Sequence, residues 1–230
     1  MSRFVFPPKA VPAIPVQGRI ELFPVHRIYC VGRNFADHAR EMGAPVERGS
    51  PVFFTKPADA VLPSGGSQPY PSATSELHYE VELVVALGRD AAGVIAREDA
   101  PRHVFGHAVG LDLTRRDLQA AAKAKGLPWD VAKAFDRSAP ISAIVPVEEA
   151  WPAADALLWL EVNGERRQQA RLSDMIFSVA DILHELSLRF ELRAGDLVFM
   201  GTPAGVGALQ HGDRWLAGLD GLAAFSGRIA

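Results

Sequence analysis

Proline and glycine cut this chain into short segments, and that punctuation limits its fold more than any other feature. The 230 residues hold 17 prolines and 20 glycines, spread along the whole length. Proline removes a backbone donor and glycine weakens a helix interior, so long uninterrupted helices are excluded and many turns are required. Between the breaks, segments 27–32, 51–55, 77–87, 104–113, 157–162 and 196–200 carry the apolar patterns of strands. Three other segments read as helices. Asn34 is placed to cap 35–42, with Gly43 as its stop, and 116–125 ends at Gly126. Segment 178–189 has Val179, Ile182, Leu183 and Leu186 at helical spacing. Strands outnumber helices and do not alternate with them, which disfavours a doubly wound sheet and predicts a strand-dominated α+β roll.

Five prolines (Pro7, Pro8, Pro12, Pro15 and Pro24) make residues 1–25 an extended, largely irregular lead and leave 26–230 as a single domain. The formal net charge is −3, from 24 basic and 27 acidic residues. That balance gives no electrostatic reason to expect nucleic acid or an anionic membrane as partner. No apolar run approaches the length of a membrane span, and the N-terminus lacks the pattern of a signal peptide. The lone cysteine, Cys30, lies among Ile28, Tyr29 and Val31 and reads as a buried apolar thiol. A cytoplasmic protein is the default expectation.

The sharpest local feature is His78-Tyr79-Glu80-Val81-Glu82-Leu83-Val84-Val85. Alternate side chains of a strand share a face, so His78, Glu80 and Glu82 point one way. The two glutamates would have Cα atoms roughly 6.6 Å apart and carboxylates about 4–5 Å apart. At an effective dielectric near 20 they would repel by roughly 3–4 kcal/mol, a cost that a divalent cation reverses. A half-exposed strand in water gives the same alternation with no metal. Asp112 shifts the balance, because a carboxylate in the apolar segment 107–113 needs a partner. Together the three carboxylates would offer an oxygen-only site to Mg²⁺ or Mn²⁺. Such a first shell is net negative, so an anionic substrate would need nearby cations such as Arg33, Arg116 and Lys133. His103 and His107 are spaced for a helix but lie in a strand-like segment, and read as structural. The glycine-rich run 201–207 lacks the Gly-Lys-Ser/Thr of a phosphate loop and reads as a tight turn.

Six ordered stretches, 29–42, 54–57, 76–83, 110–119, 126–135 and 201–207, resemble the fumarylacetoacetate hydrolase family. The resemblance implies a mixed β-roll that usually dimerises, so a homodimer is expected. It implies metal ligands at Glu80, Glu82 and Asp112, holding Mg²⁺ or Mn²⁺. It places a catalytic histidine and glutamate at His38 and Glu41, three apart on one helix face and able to hold a water. Lys133 would add positive charge or deliver a proton. Arg33, Arg116, Gln119 and Thr202 would contact a small 2-oxo acid substrate. Segments 136–140 and 212–221 resemble the fumarylpyruvate hydrolase branch, whereas Phe35, Ala134 and Gln210-His211 depart from common family residues and bear on substrate size. The implied reaction is metal-dependent hydrolysis of a carbon–carbon bond in an acylpyruvate, with 35–42 closing as a lid. Two rival readings are an oxaloacetate decarboxylase or tautomerase on the same scaffold, and a non-catalytic cation-binding module. The intact His38–Glu41 pair favours hydrolysis over both.

Overall fold

The computed structural model describes residues 3–41 and 49–230. Among these residues the chain forms a strand-dominated α+β fold built on four sheets. The largest has eight strands. Its path runs Val52–Lys56, Ile28–Gly32, Leu197–Phe199, Val81–Leu87, Val104–Leu111, Ala139–Ile141 and Val61–Pro63, with Val145–Pro146 paired off the path to Val104–Leu111. Most pairings are antiparallel, but Leu197–Phe199 lies parallel to Ile28–Gly32 and Ala139–Ile141 parallel to Val61–Pro63. A five-stranded sheet of Glu165–Arg171, Leu157–Val162, Arg214–Leu219, Ala223–Ile229 and Ser67–Gln68 packs against it. Leu83, Val85, Val109 and Leu111 of the first sheet meet Leu158, Leu160, Trp215 and Phe225 of the second in one buried core. The Val179–Ser187 helix adds Ile182, Leu183 and Leu186, with Ser178 accepting from Asp181 N as its cap.

The opposite face of the large sheet is covered by the proline-rich lead. Ala13–Pro15 and Leu22–Pro24 pair as a short hairpin, and Ile14 and Phe23 are buried with Val84, Ala108 and Phe199. The lead therefore contributes core residues, although proline keeps its strands to three residues each.

Two local expectations need correction. Segment 77–87 is not one strand. Leu77–Tyr79 belongs to a three-stranded sheet with Thr114–Arg115 and Gly207–Leu209, while Val81–Leu87 belongs to the large sheet. The change of sheet falls at Glu80. There the backbone finds partners outside a regular ladder: Glu80 O accepts from Asp112 N at 2.8 Å, and Val81 N donates to the side chain of Gln168 at 3.0 Å. Asn34 does not cap the following helix, which spans Ala36–Glu41 in the described residues. Its amide instead donates to Met200 O and Phe177 O and accepts from Phe177 N, tying three loops together. Met42 and Gly43, the expected end of that helix, lie outside the described residues.

Candidate metal centre and active site

The break at Glu80 sets the geometry of the site. Val81–Leu87 is buried on both faces, so the half-exposed strand reading of the Glu80/Glu82 alternation fails. Glu82 stays on the strand opposite Gly110, Glu80 sits at the sheet change, and Asp112 follows the end of the neighbouring strand. Their carboxylate oxygens lie within 4.8 Å of one another, and all three side chains are buried. Among the described residues no other group of such side chains is close enough to hold a metal ion.

Three cations from distant parts of the chain enclose this cluster. Lys133 Nζ donates to Glu80 at 2.8 Å, to Thr114 Oγ1 at 2.7 Å, and to Asp112. Lys56 Nζ lies 2.8 Å from Asp112 Oδ1. It directs its hydrogen bonds to the Leu113 and Lys133 carbonyls, so Asp112 Oδ1 has an ion-pair contact but no aligned hydrogen bond. Arg116 reaches Glu80 with Nη2, Gln119 Oε1 with Nη1, and His78 Nδ1 with Nε at 3.4 Å. Burial and then Arg116 push His78 down to about 4, so it is neutral at pH 7 and accepts that bond.

The charges fall out unequally. Burial alone would raise the Glu80 carboxyl, but Lys133 and Arg116 hold it well below the usual carboxylate range. Glu82 goes the other way: burial, then the charges of Asp112 and Glu80, push it far up despite a 2.6 Å bond from Gly201 N. For Lys133, burial works against the charged form, yet Asp112 and Glu80 raise its pKa. The donor set fits a hard divalent cation. It offers three carboxylates in one buried cluster, one of them with an oxygen lacking an aligned donor and another held against its own charge. Lys56, Lys133 and Arg116 balance the three carboxylates, so a bound divalent cation would leave the cluster net positive and receptive to an anion. Lys133 is thus a counter-charge whose three donors are already engaged; to touch a substrate it must release a partner.

The glycine-rich run contributes more than a turn. Gly201 has φ +92°, and a Cβ there would lie 2.8 Å from that of Asn34, so only glycine brings its N–H to Glu82. Gly205 N donates to both Glu41 oxygens, at 3.1 and 3.3 Å. Glu41 Oε2 in turn lies 3.3 Å from His38 Nδ1. An ionised carboxylate only accepts, so Nδ1 carries the proton and Nε2 keeps a free lone pair. His38 is buried, which outweighs Glu80 and Glu41 and lowers its pKa, so the free lone pair is available at neutral pH. The described part of the 35–42 segment is therefore seated over the carboxylates.

Arg33, His38, Glu80, Glu82, Asp112, Arg116, Gln119, Lys133 and Thr202 line one cleft, with Glu41 behind His38. Arg33 holds φ +62°, a left-handed conformation costing a non-glycine residue about 1–3 kcal/mol, immediately before the buried Asn34. Sequence reasoning missed Lys56, Gln168, Lys123, Phe54 and Trp129. Gln168 Nε2 donates to Thr202 Oγ1 at 2.9 Å and orients that hydroxyl. A lysine in an apolar strand, as in Phe53-Phe54-Thr55-Lys56, was the signal for Lys56. A roomier cavity of about 570 Å³ lies elsewhere, against His107 and Trp151, but its lining is mainly apolar and holds no carboxylate cluster.

Residues 27–230 match the family model described as fumarylacetoacetate (FAA) hydrolase C-terminal. Oxaloacetate tautomerase FAHD1, mitochondrial, of Rattus norvegicus is 47% identical over 196 residues, covering 85% of this chain and 87% of that protein. Oxaloacetate tautomerase YcgM of Escherichia coli (strain K12) is 41% identical over 206 residues, covering 89% and 93%. A crystal structure of fumarylpyruvate hydrolase from Pseudomonas aeruginosa in complex with Mn²⁺ and pyruvate superposes with a TM-score of 0.96 at 48% identity, over 99% of each chain.

Proposed function

The chain belongs to the fumarylacetoacetate hydrolase family, and from that premise we propose that it is a divalent-cation-dependent hydrolase of acylpyruvates, cleaving fumarylpyruvate to fumarate and pyruvate. The observation that carries this reading is the His38–Glu41 pair, docked by Gly205 above the carboxylate cluster. Cleavage of a carbon–carbon bond by water needs a general base; cation binding alone does not. The fumarylpyruvate hydrolase with Mn²⁺ and pyruvate, at 48% identity, supports the same reaction and cation class.

A divalent cation, Mg²⁺ or Mn²⁺, held by Glu80, Glu82 and Asp112 supplies Lewis-acid polarisation of the 2-oxo acid oxygens when bound. Arg116, fixed by Glu80, Gln119 and His78, faces the substrate carboxylate. Thr202, oriented by Gln168, offers its hydroxyl proton. His38 Nε2 takes a proton from water, and Glu41 stabilises the imidazolium through Nδ1–H. Hydroxide adds to the distal carbonyl carbon, the bond to the pyruvate methylene breaks, and the proton held on His38 Nε2 passes to that carbon, which becomes the methyl group of pyruvate. Lys133 holds positive charge beside the departing three-carbon acid throughout.

The names of the curated relatives favour a second reading, tautomerisation of oxaloacetate, which shifts a proton without consuming water. One assay separates them. Chain loaded with Mn²⁺ or Mg²⁺ is given fumarylpyruvate and, separately, enol-oxaloacetate, and products are quantified. Stoichiometric fumarate and pyruvate support the hydrolase. Fast enol–keto exchange with no cleavage of fumarylpyruvate replaces it with the tautomerase.

A further inference from the structure

The free volume of the cleft is small, about 30 Å³, which is room for roughly one water and not for a seven-carbon acid. The far end of any such substrate must therefore lie at the mouth. Two cations stand there. Arg33 and Lys123 both line the cleft while remaining exposed to solvent. They differ from the cations deeper in. Lys56, Lys133 and Arg116 each meet a carboxylate of the cluster, whereas neither Arg33 nor Lys123 forms an ion pair among the described residues. Lys123 extends from the end of the Arg116–Ala124 helix across the indole of Trp129, its Nζ 5.1 Å from the ring centroid. Partial burial of its stem side, then the charges of Arg116 and Arg33, lower its pKa.

The wall between the cluster and Lys123 is aromatic. Phe54 and Trp129 have ring centroids 5.9 Å apart, and Lys133 Nζ sits 5.0 Å from the Phe54 centroid. Such a wall takes a flat, apolar linker and offers a negative charge nothing until it reaches Lys123 or Arg33. Resting on the acylpyruvate reading, we infer that Arg33 and Lys123 form a second anion-binding point that reads a carboxylate at the far end of the substrate. The preferred substrates are then 2-oxo acids with a terminal carboxylate on a flat or apolar linker, and neutral-ended acyl chains are poor ones. Lys123 and Arg33 act here as specificity residues, remote from the bond that breaks.

Binding of two inert acids to the full Mn²⁺-loaded chain, read by titration calorimetry, tests this directly. 2-Oxoheptanedioate and 2-oxoheptanoate match fumarylpyruvate in chain length and differ from each other only in the terminal carboxylate. Wild type should bind the diacid about tenfold more tightly, the size of one charge-assisted hydrogen bond. Lys123→Met keeps the stem over Trp129 and should erase most of that preference while leaving 2-oxoheptanoate unchanged within about twofold. Arg33→Met should also lower the preference for the diacid, and Lys123→Arg should retain it. Equal affinity for the two acids in wild type, or an equal loss for both acids in Lys123→Met, would overturn the inference. The result is independent of turnover: a wild-type chain that discriminates the acids but cleaves no acylpyruvate would sink the hydrolase reading and leave this one standing.

Discussion

The strands Val81–Leu87 and Val104–Leu111 present two faces, and the two regions they support differ in kind. One face and its end carry Glu82, Glu80 and Asp112, packed with Lys56, Lys133 and Arg116 into a cleft with almost no free volume. The other carries Leu83 and His107 and borders a cavity of about 570 Å³ with Trp151 and Met175. Space and chemistry are separated. The roomy region is apolar, and neither nitrogen of its buried His107 has a hydrogen-bond partner among the described residues. In the cramped region each of the three carboxylates meets a cation or a backbone N–H: Glu80 meets Lys133 and Arg116, Asp112 meets Lys56 and Lys133, and Glu82 meets Gly201 N. Catalytic capacity follows from converging charges held out of water, where each interaction is strong, and not from volume.

The largest expected effect comes from breaking the charged region. Asp112→Ala leaves Lys56 and Lys133 buried beside a vacated carboxylate. Stability should fall by about 3–5 kcal/mol in the cation-free protein, measured by chemical denaturation. Mn²⁺ affinity should fall by more than about 100-fold, since even residues supporting metal ligands are worth about 10–100-fold. Asp112→Asn, which keeps the shape, should lose the cation with less damage to stability. If Asp112→Asn bound Mn²⁺ as wild type does, the carboxylate cluster would not be the metal centre.

A smaller and more selective loss is expected at His38. His38→Ala should lower kcat for acylpyruvate cleavage by about 10²–10⁴-fold and leave Mn²⁺ affinity nearly unchanged. Any enol–keto exchange of oxaloacetate should survive better, because it needs no attacking water. Near wild-type cleavage by this variant would remove His38 from the role of base.

The smallest effect belongs to the apolar region and shows as pH dependence of stability. Burial pushes His107 down to about 4, below an unfolded value near 6.5. Between those values the unfolded chain binds a proton that the folded chain refuses. The stability contribution is therefore complete above about pH 6.5 and is lost as pH falls towards 4, by up to about 2 kcal/mol between pH 7 and 5. His107→Phe should flatten that part of the wild-type pH profile and leave cleavage at pH 7 unaltered. Parallel denaturation curves for the two proteins at pH 7 and 5 check this; an unchanged difference would mean that His107 is protonated in the fold.

Legibility in the sequence followed the range of each interaction. The Leu157–Val162 strand and the Val179–Ser187 helix were readable because their burial repeats within a few residues. His38 and Glu41 share a turn of one helix, but only Glu82 of the glutamate pair keeps the strand period, and Glu80 joins it from the change of sheet. Asn34 misled because the same short amide that caps a helix can also bind Phe177 and Met200, and the local sequence does not distinguish them. The Glu165–Arg171, Arg214–Leu219 and Ala223–Ile229 strands escaped notice, since arginine, glutamine and glycine dilute their apolar alternation.

By itself the sequence determined a strand-rich chain, three carboxylates of a possible oxygen site, and a histidine and glutamate on one helical turn. Only the tertiary structure decided that the strand through His78–Val85 breaks at Glu80, because Asp112 and Gln168 satisfy its backbone from elsewhere. Only there does Lys56 meet Asp112, Gly201 meet Glu82, and Gly205 hold Glu41 beneath His38. Periodicity is a property of neighbours along the chain. Charge pairing in a buried site is a property of neighbours in space, and these partners lie between 56 and 164 positions apart.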